Sequence, residues 1–278
     1  MTTDTLSPRT TPTPPTPPSS RPSTSPWRDG VRRTRALSGA NVRLMRRNRL
    51  TTLYAFVVPL TPLVLIAFAD GSTAAAAAGA GSVLLLALVF PVYYTVLSML
   101  VTRRDELVLK RLRTGEVRDR EVVASLALPG TVVAAVVMAV AVAIGLPTGL
   151  PFPTNLPLYV VTVLAGAGMF TAFALWTASF TRTAENAQIT SMPVILLASA
   201  GTLAPSLPDR AAEVLSWTPM AALDTLQRVA WFGLDTDGGS VGFAGSWAEA
   251  GQPLVVLAVW SVLAVDLARR TMRWEPRS

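Results

Sequence analysis

Long uncharged stretches alternate with short charged blocks along this chain. The stretches 53–69, 80–101, 122–146, 158–180, 187–205 and 249–268 are the candidates for crossing a bilayer. A helix needs roughly 20 residues, at about 1.5 Å each, to cross about 30 Å of hydrocarbon. The second, third and fourth stretches meet that length without internal charge. The first is shorter and uncharged, and the fifth is interrupted by Pro193, Gly201 and Pro205. The sixth carries Glu249 and Asp266 near its two ends, where charge is tolerated. Pro59, Pro62, Pro91 and Pro129 predict kinks that bundle neighbours can accommodate. The pattern predicts an all-α, polytopic membrane protein with six transmembrane helices.

The flanking segments read differently. Residues 1–26 are rich in Pro, Thr and Ser, and a disordered tail is expected over 1–30. It contains no apolar run of the kind a signal peptide needs. In residues 31–50, Val31, Leu37, Val42, Leu44, Met45 and Leu50 interleave with seven Arg. Leu37, Leu44 and Met45 fit one helical face, which predicts an amphipathic helix at the membrane surface with Arg toward lipid phosphates. A plain basic stop before the first span is the other reading. Between the last two spans, Trp217, Met220, Leu223, Leu226, Ala230, Trp231 and Leu234 recur every three or four residues. Asp209, Arg210, Glu213, Asp224 and Arg228 make this segment too polar to span. Short helices at or dipping into the outer leaflet are expected, with Trp217 and Trp231 as interface anchors and 235–239 as an exposed loop.

Charge then sets orientation. Of the 24 basic residues only Arg210 and Arg228 fall opposite the N-terminal side of the expected spans. The positive-inside rule therefore puts both termini, including the tail 271–278, in the cytoplasm. The same asymmetry accounts for the net charge of +7 without a nucleic-acid partner; the bilayer itself is the partner of these residues. Hydrophobic residues make up 51% of the 278 positions and charged ones 15%, against about 25% charged in soluble domains. All the basic residues but Lys110 are Arg, and with the Ala, Val and Gly content this points to a GC-rich, actinomycete-like bacterial genome.

Candidate chemistry is mostly excluded. With no Cys and no His, disulfides, thiolate or His-based metal sites, Ser-His-Asp triads and Cys-His dyads are ruled out. A phosphate-binding loop needs Lys directly after Gly, and Lys110 follows Leu109. Gly79-Ala80-Gly81 and Gly166-Ala167-Gly168 are read as close helix contacts instead. The spans carry no Asp, Glu, Lys or His at mid-depth for a proton relay, and Asp266 is expected to pair with Arg270. Among the polar side chains inside spans, Tyr93, Tyr94, Ser98, Ser191 and Ser199 are the candidates for lining a translocation path; most such groups serve helix packing. A path so apolar suits lipophilic cargo.

The loop 102–121 is the most informative segment. Thr102 with Asp105 resembles a capping box, Glu106 and Lys110 are an i,i+4 pair, and Val108, Leu109 and Leu112 form an apolar stripe ending at Gly115. Such a helix either lies on the bilayer or docks into a groove on a partner. Asp105-Glu106 followed by Lys110-Arg111-Leu112-Arg113-Thr114 resembles the first cytoplasmic loop of permease subunits of type-two ABC exporters. Leu107-Val108 stand where Gly-Thr is common in that family, and Glu116 near a common Pro. Pro193, Ser199-Ala200-Gly201, Pro205, Pro208, Leu215-Ser216-Trp217-Thr218-Pro219 and Arg228 resemble the family's later motifs.

The resemblance covers roughly residues 35–270. It implies a six-helix permease domain over 31–270 in the bacterial plasma membrane, forming half of a path completed by a second copy or a paired permease. It implies an ABC ATPase subunit that binds ATP and Mg; this chain would be no enzyme and would hold no cofactor or metal. Arg104, Asp105, Glu106, Leu109, Lys110, Arg111, Leu112, Arg113 and Gly115 would be the ATPase-coupling residues. The implied cargo is drug- or antibiotic-like or otherwise lipophilic, carried outward, as in drug efflux. A non-transporting membrane scaffold or immunity protein, which needs no ATPase, is the alternative.

Overall fold

The computed structural model describes residues 26–47, 49–68, 73–105, 118–183, 185–203 and 207–271. Among them the chain is helical apart from turns and one isolated β-bridge between Leu234 and Ser240. Helix α1 (Pro26–Arg47) begins inside the expected tail. Proline's fixed φ and missing N–H suit a first helical position, so residues 26–30 belong to this helix rather than to a disordered segment. The face of α1 that packs on the third span carries buried Ser38 and Asn41, while Val31 and Val42 stay exposed. The side chains of Leu44 and Met45 lie outside the described residues.

Helix α2 (Arg49–Phe68) contains Pro59 and Pro62 and packs on α3 (Thr73–Ala87). Helix α3 continues through a π-helical turn, Leu88–Tyr94, into α4 (Thr95–Asp105). Pro91 causes that turn's geometry: it lacks an N–H, and its ring crowds the preceding turn, which the wider π turn relieves. The Thr95 hydroxyl donates to the Phe90 carbonyl at 3.3 Å. The third span, α5 (Asp119–Gly145), crosses this turn at Gly130. A Cβ at Gly130 would lie 2.1 Å from the Pro91 carbonyl oxygen, so only glycine permits the crossing.

Helix α6 (Leu156–Phe180) is the axis of the bundle. Its apolar residues run all round, as a helix with no solvent face requires. Of its most apolar stretch 72% is buried inside the protein, against 28% for the last helix. Asn155 caps it, accepting from the Leu158 N–H at 3.0 Å while its own amide donates to Ser246 Oγ at 2.8 Å. The fifth apolar stretch is two pieces, α7 (Ala187–Thr190) and α8 (Met192–Thr202), with Pro193 in the first turn of α8. The last span, α12 (Gly251–Thr271), follows short α11 (Phe243–Glu249) and packs along α6.

By length and composition, Thr73–Arg104, Asp119–Thr148, Leu156–Phe180 and Gly251–Thr271 can each cross a membrane. Leu53–Val64 and Met192–Thr202, at the first and fifth expected spans, are shorter apolar helices. The segment before α12 forms the expected short helices but is buried more deeply than expected. Helices α9 (Asp209–Ser216) and α10 (Pro219–Gln227), with a π turn Arg228–Phe232, form a re-entrant wedge among α3, α6, α8 and α12. Met220, Leu223, Leu226, Ala230 and Trp231 are fully buried. Trp231 is therefore a core residue and not an interface anchor: its ring lies edge-on to Tyr159, and its Nε1 donates to the Pro151 carbonyl at 2.9 Å. Trp217 does stay exposed, at 56%.

Small residues let this wedge in. A Cβ at Gly81 would lie 1.9 Å from Asp224 Oδ1, and one at Gly166 would lie 3.2 Å from Leu223 Cδ2 of the wedge and 2.9 Å from Leu88 Cδ1 of the α3–α4 span. The close contacts expected of these glycines are present; Gly168 faces open space. Asp224 pairs with Arg228 at 3.0 Å, which offsets the cost of desolvating both charges. Gly130→Val should lower the thermal midpoint of the detergent-solubilised protein, corresponding to a loss of about 1–3 kcal/mol or more from overpacking. Gly168→Ala should leave that midpoint unchanged, so equal behaviour of the two variants would refute the packing account.

Candidate functional site

The end of the bundle that carries most of the arginines is organised by the last turn of α4. Arg104 is only 3% exposed, although it stands in a charged block. Its Nη1 donates to the Ala178 carbonyl at 2.8 Å, and its Nη2 donates to the Thr181 carbonyl and, at 3.4 Å, to that of Arg182. The last carbonyls of a helix have no partner within it, and they form the negative end of its dipole. Arg104 therefore caps α6. It does not lie on an exposed docking surface, because its guanidinium is spent on holding α4 to α6. Thr181 extends the link: its hydroxyl donates to the Thr177 carbonyl at 2.8 Å and lies 2.8 Å from Thr190 Oγ1, which ties α6 to α7.

Arg103 performs a related task toward α1. Its Nη2 donates to Asn41 Oδ1, and Asn41 Nδ2 donates to the Ser125 carbonyl of α5 at 2.6 Å. Ser38 Oγ reaches the same carbonyl at 3.5 Å. Asn41 is fully buried, so its amide joins three helices where water does not compete. At the start of α5, Glu121 Oε2 accepts from the Arg118 N–H at 3.3 Å. A Cβ at Gly30 would lie 2.8 Å from Glu121 Oε1, so α1 passes directly over that turn.

Helix α1 thus touches both flanks of residues 106–117: Arg103 through Asn41, and Glu121 through Gly30. Glu106, Leu109, Lys110, Arg111, Leu112, Arg113 and Gly115 lie outside the described residues, as does the side chain of Asp105. Thr102 lies within α4, so it does not start a helix and the capping box expected there is not formed at Thr102. Asn41 was not singled out by the sequence pattern. Its one signal was an uncharged amide among the arginines of an amphipathic helix.

The path candidates separate in space. Tyr93 is fully buried and donates to Thr177 Oγ1 at 2.9 Å, with its ring edge-on to Phe170. That is an interhelical strut within the core. Tyr94, one position on, lies on another face, and its OH is 3.0 Å from Ser191 Oγ. Ser191 also donates to the Gln188 carbonyl at 2.8 Å. The bond thereby ties the α3–α4 span to the break between α7 and α8. Ser98 is exposed on α4 and Ser199 is half-buried on α8, each away from that pair along its helix. At the end of α12 the expected pair is present, with Arg270 Nε 2.9 Å from Asp266 Oδ1.

The buried junction, the re-entrant wedge and the broken fifth stretch all fall within one further finding. The model of the ABC-2 family transporter protein matches residues 37–268. The chain belongs to the ABC-2 transporter family. It is accordingly a membrane subunit of an ABC transporter, of the permease type found in type-two exporters. No curated protein matches it closely enough to add to this. The family match begins inside α1, so Asn41 and its partners lie within the ABC-2 region, while Gly30 precedes it.

Asn41→Ala should destabilise this ABC-2 protein by about 1–3 kcal/mol, because the Ser125 carbonyl and Arg103 lose a buried partner. A double-mutant cycle with Arg103→Ala, read by denaturant or thermal unfolding, should give a coupling of about 0.5–3 kcal/mol. Strict additivity would show that the two side chains act separately.

Proposed function

We propose that this ABC-2 permease forms the translocation path of an exporter whose ATP and Mg are bound by a separate ABC ATPase subunit. The observation that carries this reading is the junction of Asn41, Ser125, Arg103 and Arg104, which fixes both flanks of residues 106–117 to rigid helices. A segment anchored on both sides transmits a push from below into α1, α4, α5 and α6 together, whereas a freely hinged one dissipates it. Leu109, Leu112 and the surrounding charged residues are the surface on which the ATPase acts. Arg104 serves as a positioning residue behind it.

In this reading the chain crosses the plasma membrane six times, with α2 and α7–α8 as the first and fifth passes and both termini in the cytoplasm. Two copies, or one copy and a related permease, complete the path. The cargo is lipophilic, of drug or antibiotic type. In support, the hydroxyl pair of Tyr94 and Ser191 lies beside the fifth pass and carries no charge.

Affinity capture of the intact membrane complex tests the partner. An ATPase subunit should copurify with the wild type, and Leu109→Asp or Leu112→Asp should reduce its recovery about tenfold, a loss of about 1.4 kcal/mol in binding. Normal folding with undiminished capture would defeat the docking role. Cargo movement in vesicles that does not depend on ATP, or no movement at all, would favour the scaffold reading.

Because the chain has no native cysteine, single cysteines report orientation cleanly. A membrane-impermeant thiol reagent should label Thr236→Cys in intact cells and label Thr271→Cys only after the cells are opened. The reverse pattern would overturn the topology.

A further inference from the structure

A cleft of about 370 Å³ lies between α5 and α6, toward the end opposite the arginine-rich junction. Its floor has a simple origin in the sequence. Ala135, Ala139 and Ala143 recur every four residues, so they share one face of α5, and that face stops at Cβ. Helix α6 supplies the opposite wall with Val160 and Leu164, also four apart. Phe152, from the turn joining the two helices, closes the end.

The cleft is held open rather than left to collapse. Tyr159 OH donates to the Met138 carbonyl at 3.1 Å, pinning α6 to α5 beneath it. The Leu150 N–H donates to the Gly145 carbonyl at 3.0 Å and fixes the turn at its end. An unfilled cleft of this kind forfeits the dispersion contacts of every side chain that lines it. Something of matching shape is therefore favoured there.

We propose that this cleft binds one acyl chain of a membrane phospholipid, in the leaflet opposite the arginine-rich junction. The first argument is length. From Ala135 to Leu146 the helix rises about 16 Å, close to half of the roughly 30 Å hydrocarbon thickness, which is the depth of one leaflet. The second is continuity with the surface that meets lipid. Leu146, Leu156, Val160 and Leu164, which line the cleft, are all exposed on membrane-spanning helices. The third is charge: between Glu121 and Arg182 the chain has no ionisable acid or base other than Tyr159, whose hydroxyl is already bonded. No residue that lines the cleft carries a charge, so recognition falls on the hydrocarbon. The site is separate from the Tyr94–Ser191 pair and does not depend on the ATPase reading.

The test uses the full-length protein reconstituted in phosphatidylcholine vesicles doped with a phosphatidylcholine that carries a photoactivatable diazirine near the end of one chain. Peptide mass spectrometry then locates the adducts. Labelling within 135–146 and 156–164 should exceed that on the exposed Val255 and Val262 face of α12 about fivefold. Filling the floor with Ala139→Leu should bring it down to the α12 level, and the smaller Ala143→Val should lower it in part should Ala139→Leu fail to fold. Labelling no denser in the cleft than on α12, or unchanged in the folded variants, would overturn the proposal. So would efficient cross-linking of Ala139→Cys between two copies at the expense of the lipid adduct, which would make the cleft a protein interface.

Discussion

Inside hydrocarbon no water is available to hydrogen-bond the backbone, and this constraint explains most of the polar contacts in the molecule. Each place where a helix ends or breaks within the bundle leaves carbonyls that need a donor. At three of these places the donor is a long side chain from a neighbouring element. Arg104 serves the end of α6, Trp260 Nε1 donates to the Trp217 carbonyl at 2.7 Å beside the start of α10, and Trp231 serves Pro151 in the turn before α6. The same contacts therefore do two jobs: they satisfy the backbone, and they decide which helices are neighbours.

This explains why the polar side chains sort as they do. A residue such as Tyr93 or Asn41, whose partners lie on other helices, is fixed in place and becomes a joint of the frame. Removing such a group leaves a buried acceptor bare, which costs more than the net value of the bond. Tyr94 and Ser191 also bond between helices, but Tyr94 is only half-buried and Ser191 stands in the break between α7 and α8, so their hydroxyls can each rotate to another partner. The frame and the adaptable pair thus come from adjacent tyrosines, separated by the turn of one residue along a π-helical stretch.

The spans formed by α3–α4, α5 and α6 were legible because length and absence of internal charge decide them, and neither depends on tertiary context. The family resemblance was legible in the order of short motifs from Asp105 to Arg228. The re-entrant wedge was legible as amphipathic helix but not as core. Periodicity reports an apolar face without saying whether lipid or protein covers it, and Trp231 was therefore placed at an interface it does not reach. The burial of Arg104 was hidden for a similar reason, since a charged block reads as solvated until the carbonyls at the end of α6 are known to lie beside it. Asn41 was invisible because its partners stand more than sixty residues away in the chain. Its role exists only once α1, α4 and α5 are brought together.

The two glycine contacts and the buried junction can be understood as one design. At Gly130 the backbone of α5 meets the Pro91 turn, and at Ser125, one and a half turns earlier along α5, the same helix accepts from Asn41. Helix α5 is thereby gripped at two closely spaced points, by the α3–α4 span and by α1. A helix held at two points cannot slide against one partner without straining the other, so α1, α4 and α5 move as a body at this end. Further along, the Tyr159–Met138 bond ties α5 to α6, with the alanine-floored cleft beside it. Relative motion within the molecule is then cheapest where the contacts are fewest, at α7 and the break beside it that Ser191 occupies.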